Sequence, residues 1–285
     1  MPLHSVLLRL DRALEDRSPR PALQGPQRLL RELLWFGIKE ARACIFAGAF
    51  FLAVFAVPRG GWLGLPRYDL LLAIALLLQA WLLWRRIETP DEARTILVFH
   101  LAGFALEVFK VSGGIGSWSY PDAGHTKLWG VPLFSGFMYA AVGSYIMQAW
   151  RVLHLRIERH PPYWMTTVLA LALYANLFTH HYIGDFRWYL AAVAVGLYAR
   201  CTVVFTPLDR ERRMPLLLGF LLVGFFIWLA ENLGTFFGLW RYPHQVGAWA
   251  TVHWGKWTAW AMLTLMCFTI VGSLKHVKAR IQFAP

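Results

Sequence analysis

Eight apolar stretches follow one another along this chain, and they limit its possible folds more than any other feature. Each is 17 to 22 residues long, the length at which a helix crosses a hydrocarbon core about 30 Å thick. Only 15% of the residues are charged, against about 25% in a soluble domain. We therefore predict an all-α, polytopic membrane protein with about eight transmembrane helices, at residues 41–58, 68–84, 94–112, 128–149, 162–178, 187–206, 214–234 and 256–274.

The basic residues predict how these helices are oriented. The net charge is +12, but Lys and Arg are unevenly distributed. Twenty of them lie before the first span, around the even-numbered connections or after the last span, and only seven lie in the odd-numbered connections. This alternation is typical of the positive-inside rule. It predicts a multi-pass protein in a lipid bilayer with both termini cytoplasmic, and it explains the charge without a nucleic-acid partner.

The same pattern predicts three regions. Residues 1–40 form a cytoplasmic, basic, amphipathic N-terminal segment, residues 41–278 a transmembrane helical domain, and residues 279–285 a cytoplasmic tail. Within the first region, residues 27–42 have apolar and basic faces at helical spacing, which fits a helix lying along the inner membrane surface. That helix is either a basic anchor that fixes the orientation or a partner-binding segment.

A short motif occurs twice, each time after a glutamate near the end of an apolar stretch. Glu107 and Glu231 are followed by Gly-x-Trp-x-Tyr-Pro, at Gly116–Pro121 and Gly238–Pro243. The two glutamates are 124 residues apart and four spans apart, so their spans run in the same direction. This spacing predicts a 4+4 parallel internal repeat about an axis along the membrane normal. Convergent loop chemistry is the alternative.

An ionisable carboxylate inside a membrane span costs at least about 2.5 kcal/mol, so two in matching places indicate a function or a partner. Glu107 lies roughly 8 Å below the outer end of its span. Lys110 is one helical turn away and could pair with it locally. We expect Lys110, Lys256 or Arg241 to compensate the charges of Glu107 and Glu231, or one glutamate to stay protonated.

The outer half of the molecule gathers the ionisable side chains, and we expect no comparable cluster in the inner half. Side chains that exchange protons suit acid/base catalysis, and the predicted catalytic residues are Glu107, Glu231, His180, His181 and Asp185. Aromatic rings at the interface, together with nearby polar groups, would line a substrate. The predicted substrate-binding residues are Trp118, Tyr120, Trp240, Tyr242, Asn232, Lys110 and Lys256.

The histidines and carboxylates also raise the question of a metal, since they suit Zn, Fe or Mn. Adjacent histidines on a helix end, such as His180 and His181, point about 100° apart, so they do not join one ligand set without bending. No HExxH motif occurs. We therefore predict no metal ligands, and the sequence does not specify a cofactor.

The motif regions carry a family resemblance. The stretches that match are residues 107–122, 130–145, 174–188 and 231–243. Through them the chain resembles, over about residues 30–278, a bacterial family of integral membrane proteins, the domain-of-unknown-function family numbered 817. The resemblance implies a helical protein of the cell inner membrane and implies no reaction.

Three functions follow from these patterns. The first is a membrane-embedded enzyme with an outer-leaflet acid/base site that acts on a lipid or isoprenoid. The second is a proton- or ion-coupled transporter, because carboxylates near the interface of a repeat are also how such carriers are built. The third is a non-catalytic membrane scaffold whose loops bind a partner.

Overall fold

The fold is mostly helical. The computed structural model describes residues 9, 12–14, 16 and 24–282, with side chains up to Lys275. Between residues 24 and 282 the helices are α1 (Gly25–Ala43), α2 (Ile45–Ala56), α3 (Arg67–Trp84), α4 (Pro90–Val111), α5 (Ser135–Val152), α6 (Tyr163–Thr179), α7 (Arg187–Tyr198), α8 (Leu216–Phe236) and α9 (Lys256–Gln282).

Short strands occur where two helices were expected to continue, so the all-α prediction is too simple. β1 (Lys127–Leu128) and β2 (Val131–Pro132) form a small hairpin, and β3 (Arg156–Glu158), β4 (Thr202–Phe205) and β5 (Arg212–Pro215) form an antiparallel sheet in that order. The prediction of helix at residues 128–134 and 202–205 is therefore wrong. Pro132 cannot donate within a helix, and the β-branched run Thr202-Val203-Val204 favours a strand.

Helices α4 and α5 pack closely against each other, as do α8 and α9, while α5 also contacts α1, α2 and α9. Glycines allow these close approaches. Gly103 on α4 has no room for a Cβ because the ring of Tyr139 on α5 occupies the space. Gly224 on α8 lies against the backbone of Ala261 on α9 in the same way. Small residues at helix contacts let backbones approach closely in membrane bundles.

The connections separate to the two ends of the bundle. At the motif end (residues 59–67, 112–134, 180–186 and 237–255), the Tyr68 hydroxyl donates to the carbonyl of Leu239 at 2.8 Å. At the basic end (residues 24–44, 85–93, 153–161 and 199–215), β3, β4 and β5 join two separate connections in one sheet. These two groups of connections thus lie at different ends of the bundle.

Three helices in the described part of the chain are long and apolar enough to cross a membrane, namely α3, α8 and α9 up to Lys275. Helices α2 and α6 are apolar but shorter. The outer surface of the bundle is rich in exposed apolar side chains, among them Leu76, Leu77, Leu171 and Phe226. Exposed apolar surface on this scale is typical of a protein that contacts lipid or a partner.

Helix α1 presents its apolar side outward. Leu29, Leu30, Leu33 and Leu34 are 58% to 71% exposed. Its charged side is buried at the basic end, where Glu32 forms an ion pair with Arg212 of β5 at 2.5 Å. The helix begins at residue 25, close to the expected amphipathic segment, and ends at Ala43 after about five turns. Cys44 separates it from α2.

Candidate functional site

Glu107 is buried in a cage of neutral hydrogen-bond donors. Its carboxylate is on α4, only 3% exposed. Trp118 Nε1 and Tyr120 Oη donate to Oε2 at 2.7 and 2.8 Å, and Tyr139 Oη on α5 donates to Oε1 at 2.8 Å. Trp118 and Tyr120 are the Trp and Tyr of the first motif copy. The motif therefore folds back over the helix that precedes it and binds its glutamate.

Glu231 on α8 has the same kind of environment and is 4% exposed. Tyr242 Oη of the second motif copy donates to Oε1, and Trp260 Nε1 on α9 donates to Oε2 at 2.6 Å. The Trp of the second motif copy, Trp240, packs on Gly234 instead. In the second copy the motif tyrosine thus again donates to the glutamate, whereas the indole donor comes from α9 and not from the motif.

The two motif copies touch at equivalent positions. Ser119 and Arg241 are the fourth residues of their motif copies, each between its Trp and its Tyr. They exchange both backbone hydrogen bonds at 2.9 Å. Gly116 and Gly238, which open the two copies, both have positive φ, +56° and +73°. That backbone conformation is readily available only to glycine. The glycine that opens each motif copy therefore has a structural reason.

Aromatic rings connect the two carboxylates. The rings of Trp118 and Tyr242 lie 5.9 Å apart, and those of Tyr139 and Trp260 lie 6.3 Å apart. Burial, followed by the adjacent Glu231, raises the pKa of Tyr242 well above its ordinary value. The hydroxyl therefore remains a hydrogen-bond donor at neutral pH, and the two glutamates belong to one polar cluster.

Lys256, at the start of α9, is a cation that lies against the aromatic rings of this cluster. Its Nζ lies 5.1 Å from the centre of the Trp118 ring and 4.9 Å from that of Tyr242. Such contacts are attractive because the ring faces are electronegative. Neither Glu107 nor Glu231 makes an ion pair with a side chain in the described part of the chain. Lys256 therefore acts on both carboxylates through space.

Lys110 does not pair with Glu107, so the local pair expected from their spacing is wrong. Its Nζ lies 2.7 Å from His181 Nε2 and 3.4 Å from His180 Nε2. His180 Nδ1 is 2.8 Å from the carbonyl of Asn176, which fixes that nitrogen as the donor. Burial, followed by the charge of Lys110, lowers the pKa of His181. The Nε2 atoms of both imidazoles therefore lie where they can accept from the lysine ammonium.

Asp185 and Asn232 hold the backbone at the motif end. Asp185 accepts from the Asn176 side chain at 3.0 Å and from the Arg187 backbone at 2.9 Å, at the start of α7. Partial burial acts to raise the pKa of Asp185, but these hydrogen bonds hold it below its ordinary value. Asn232 accepts from the Val252 backbone at 2.9 Å. Both side chains are engaged in positioning connections.

A cavity of about 1500 Å³, partly open to the surface, reaches this cluster. Most of its wall is apolar, with residues of α2, α5, α8 and α9 contributing. The predicted site residues that line it are Glu107, Glu231, His180, Trp118, Trp240, Tyr242, Lys110 and Lys256. Those that do not are His181, Asp185, Tyr120 and Asn232. Tyr120 nevertheless binds Glu107 from behind.

The sequence patterns missed four side chains that the cavity brings to the site. Tyr139 and Trp260 bind the carboxylates from α5 and α9, and no motif marks either residue. Glu40 and Tyr145, hydrogen-bonded at 2.8 Å, line the same cavity toward the basic end. No comparable cluster was expected away from the motif end, and this pair adds a polar contact there that the sequence patterns did not mark. The alternation of apolar stretches gave no sign of Glu40, because it precedes the first of them.

Within the part of the chain that the structure describes, no three His, Cys, Asp or Glu side chains lie close enough together to hold a metal ion. His180 and His181 are adjacent, with ring centres 4.0 Å apart, but their shared partner is the ammonium of Lys110. The positive charge of Lys110 disfavours a metal ion at these two histidines.

Comparison with known proteins places the chain in a family. Residues 32–268 match the model of a family described as "Protein of unknown function (DUF817)". The chain is also similar to the "Uncharacterized protein YoaT" of Bacillus subtilis (strain 168), with 45% identity over 251 residues, which cover 88% of this chain and 94% of the relative. No solved structure matches. The matched region contains both glutamates, both motif copies and the start of α9.

Proposed function

This chain belongs to the DUF817 family, and we propose that it is a membrane-embedded enzyme whose paired glutamates perform acid/base chemistry on a lipid or isoprenoid. One observation carries the proposal. Two buried carboxylates, both bound by neutral aromatic donors, face one largely apolar cavity that is partly open to the surface. Carboxylates in such partly desolvated sites are suited to donate and accept protons.

The membrane assignment extends to eight spans with cytoplasmic termini in the inner membrane. Three helices have the required length and composition. The separation of odd- and even-numbered connections to opposite ends supports an alternating path for the rest of the chain. Exposed tryptophans also lie at both ends, such as Trp62 and Trp254 at the motif end and Trp84 and Trp164 near the basic end. Tryptophan is enriched at both membrane interfaces.

The 4+4 repeat belongs to the same proposal. Ser119 and Arg241 occupy equivalent motif positions and exchange reciprocal backbone hydrogen bonds, as two elements related by a local two-fold axis would. The closely packed pairs α4–α5 and α8–α9 also occupy corresponding places in the two halves. The shared site then lies where the two halves meet.

In the proposed reaction, Glu107 and Glu231 are the two groups that exchange protons with the substrate. Each is hydrogen-bonded to a tyrosine, and a tyrosine hydroxyl both donates and accepts, so the carboxyl can take up a proton without leaving its cage. The tryptophan N–H groups only donate and fix the remaining oxygen. His180 assists from the rim, while Trp118 and Tyr242 form the substrate wall.

Cysteine labelling tests the orientation. In a background without the native cysteines, single cysteines replace the exposed residues Tyr182 and Val246 at the motif end and Arg156 and Glu211 at the basic end. We expect a membrane-impermeant maleimide to label the first two in intact cells and the second two only after the membrane is opened. The reverse pattern would contradict the proposed orientation.

Lipid analysis tests the chemistry. Cells lacking the protein are supplied with wild-type protein, E107Q, E231Q or the control E211Q, which alters an exposed residue at the basic end. We expect the wild type and the control to restore the normal lipid profile of these cells. E107Q and E231Q, present at equal protein levels, are expected not to restore it. Glu→Gln preserves shape and removes proton transfer, which contributes about 10²–10⁴ in rate. Restoration by both variants would exclude the acid/base function.

A proton-coupled carrier is the second candidate, and Glu40 is the observation that favours it. Glu40 lines the same cavity as Glu107 from the opposite direction. Tyr145 and Tyr139, which bind the two carboxylates, are six residues apart on α5, or about 9 Å along the helix. Proteoliposomes that contain a pH-sensitive dye decide between the candidates. When a proton gradient is imposed and substrate is supplied, a carrier acidifies the interior. An E40Q carrier does not.

A further inference from the structure

Three cations line the cavity at the motif end, and they are near enough to repel one another. This cation cluster consists of Lys110 on α4, Arg187 at the start of α7 and Lys256 at the start of α9. Lys110 interacts unfavourably with both others, and Lys256 with Arg187. Three separate elements thus bring like charges together on a wall that also carries Glu107 and Glu231 and is elsewhere mostly apolar. Such an arrangement is costly unless an anion offsets it.

The cluster also has unused hydrogen-bonding capacity. An ammonium group has three donors, and Lys256 has no hydrogen-bond acceptor among the described side chains and backbone, only the two ring faces. Lys110 contacts two imidazole nitrogens and makes no ion pair within the described part of the chain. Arg187 has one carboxylate partner, Asp185, at 3.2 Å.

The two glutamates of the cavity leave these donors available. The oxygens of Glu107 are occupied by Trp118, Tyr120 and Tyr139. Those of Glu231 are occupied by Tyr242 and Trp260. The carboxylates therefore moderate the charge of the cluster through space without filling its hydrogen bonds.

We propose that the cation cluster binds the phosphate group of a lipid whose hydrocarbon chain lies in the apolar part of the cavity. Lysine and arginine are the side chains that recognise phosphate, the first as a point charge and the second as a fork of parallel N–H groups. The inference deepens the proposed function, on which it rests, by naming the substrate class of that site.

The shape of the cavity supports a long chain attached to the headgroup. Its volume of about 1500 Å³ exceeds the roughly 300–1,000 Å³ of ordinary small-molecule pockets. Leu106, Leu173, Leu177 and Met262 belong to its apolar wall. A phosphate bound by Lys256 lies beside Trp118 and Tyr242, the two rings that join the carboxylates. The headgroup end of the lipid is thereby placed next to the acid/base pair.

Matched ligands test the proposal on the full-length protein in detergent. The first pair is geranylgeranyl phosphate and geranylgeraniol, the second is dioleoyl phosphatidic acid and dioleoylglycerol, and inorganic phosphate is added alone. We expect at least one phosphorylated lipid to raise the thermal midpoint by several degrees, since a ligand that binds only the folded state stabilises it, while its unphosphorylated counterpart does not. Equal shifts within both pairs, or no shift at all, would overturn the proposal. An equal shift with inorganic phosphate alone would overturn the lipid part.

Variants locate the binding site. K256M and R187M are expected to weaken binding of the phosphorylated lipid at least about tenfold, as loss of one charged partner does. K256R keeps the charge and is expected to bind normally. If K256M does not fold, the affinities of R187M and K256R are compared instead. The control is R241M, an exposed cation at the motif end that does not line the cavity. Unchanged affinity in both K256M and R187M would exclude the cluster.

The double variant E107Q/E231Q separates this inference from the proposed function. It retains the cation cluster, so we expect it to bind the phosphorylated lipid while failing to restore the lipid profile of cells. If the double variant binds the phosphorylated and unphosphorylated lipids of a pair equally and does not restore the lipid profile of cells, only the phosphate site is overturned. Selective binding by a double variant that still restores the profile overturns the acid/base chemistry alone.

Discussion

Helix α4 carries two glutamates of equal burial whose surroundings differ completely. Glu92 and Glu107 are each 3% exposed. Glu92, at the basic end of the helix, accepts from Arg151 Nη2 at 2.7 and 2.8 Å and lies 3.6 Å from Lys275 Nζ. Glu107, at the motif end, accepts only from tryptophan and tyrosine.

The difference in hydrogen-bond donors changes the effect of protonating each carboxylate. A proton taken up by Glu92 breaks an ion pair and leaves Arg151 without its partner, so that carboxylate is suited to holding the helices together. A proton taken up by Glu107 only requires Tyr139 to reverse its hydrogen bond. Burial is the same at both places and only the chemistry of the donors differs, which is why we propose proton exchange for Glu107 and a structural role for Glu92.

The largest stability effect is expected at the basic end. R151M leaves Glu92 buried with Lys275 as its remaining cation. Removing one partner of a buried ion pair typically costs about 3–5 kcal/mol, and because the Arg151 side chain is 36% exposed we expect a loss at the low end of that range. The control R156M alters an exposed pair with Glu211, worth about 0–1 kcal/mol. Denaturant titration in detergent micelles measures both. Similar losses in the two variants would show that the pair at Glu92 does not hold the fold.

A smaller effect is expected from G103A, which overpacks the contact between α4 and Tyr139. Overpacking a tight contact costs about 1–3 kcal/mol. G143A is the matched control, because its Cβ meets the ring of Phe99 in the same helix pair, away from the carboxylates. We expect comparable stability losses, with the lipid profile lost only in G103A because Tyr139 binds Glu107. Loss of the profile in both variants would indicate a packing effect alone.

A direct comparison of the two glutamates is expected to give about 1 kcal/mol for E107Q, the typical worth of one hydrogen bond. The amide can keep its oxygen toward Trp118 and turn its NH₂ toward Tyr139, which then accepts. E92Q removes the charge that Arg151 needs and should cost more than E107Q in the same thermal unfolding series. The opposite order would mean that Glu107 chiefly stabilises the fold.

The smallest effect concerns pH and the pair between α1 and β5. The hydrogen bond from Arg212, ahead of burial and of other charges, lowers the pKa of Glu32. A lowered pKa in the folded state gives stability that is present above the ordinary glutamate pKa of about 4.3 and is lost as the pH falls below it. Because Arg212 is half exposed, the gain is less than about 1 kcal/mol. The midpoint difference between wild type and R212M should shrink from pH 7 to pH 4, and a constant difference would contradict the assignment.

Most helices and the two glutamates were predictable because their signals are local. An apolar stretch without helix breakers forms a helix wherever it is buried, and the repeated motif marks the glutamates directly. The prediction failed at residues 202–205, where β-branched residues pair with the nearby strand β5 and with β3, which belongs to an earlier connection. It also failed for Lys110, because the histidines that follow α6 lie nearer to its ammonium than Glu107 does.

The sequence by itself determined that the chain is predominantly helical and apolar, that two glutamates lie in equivalent places, and that a glycine opens each motif copy. These properties depend on composition and on spacings of a few residues. Only the tertiary structure decided what surrounds each carboxylate, since Tyr139, Trp260 and Lys256 reach the cluster from α5 and α9. Helix packing sets those distances, and residues 29 to 138 positions apart become neighbours only when the whole bundle forms.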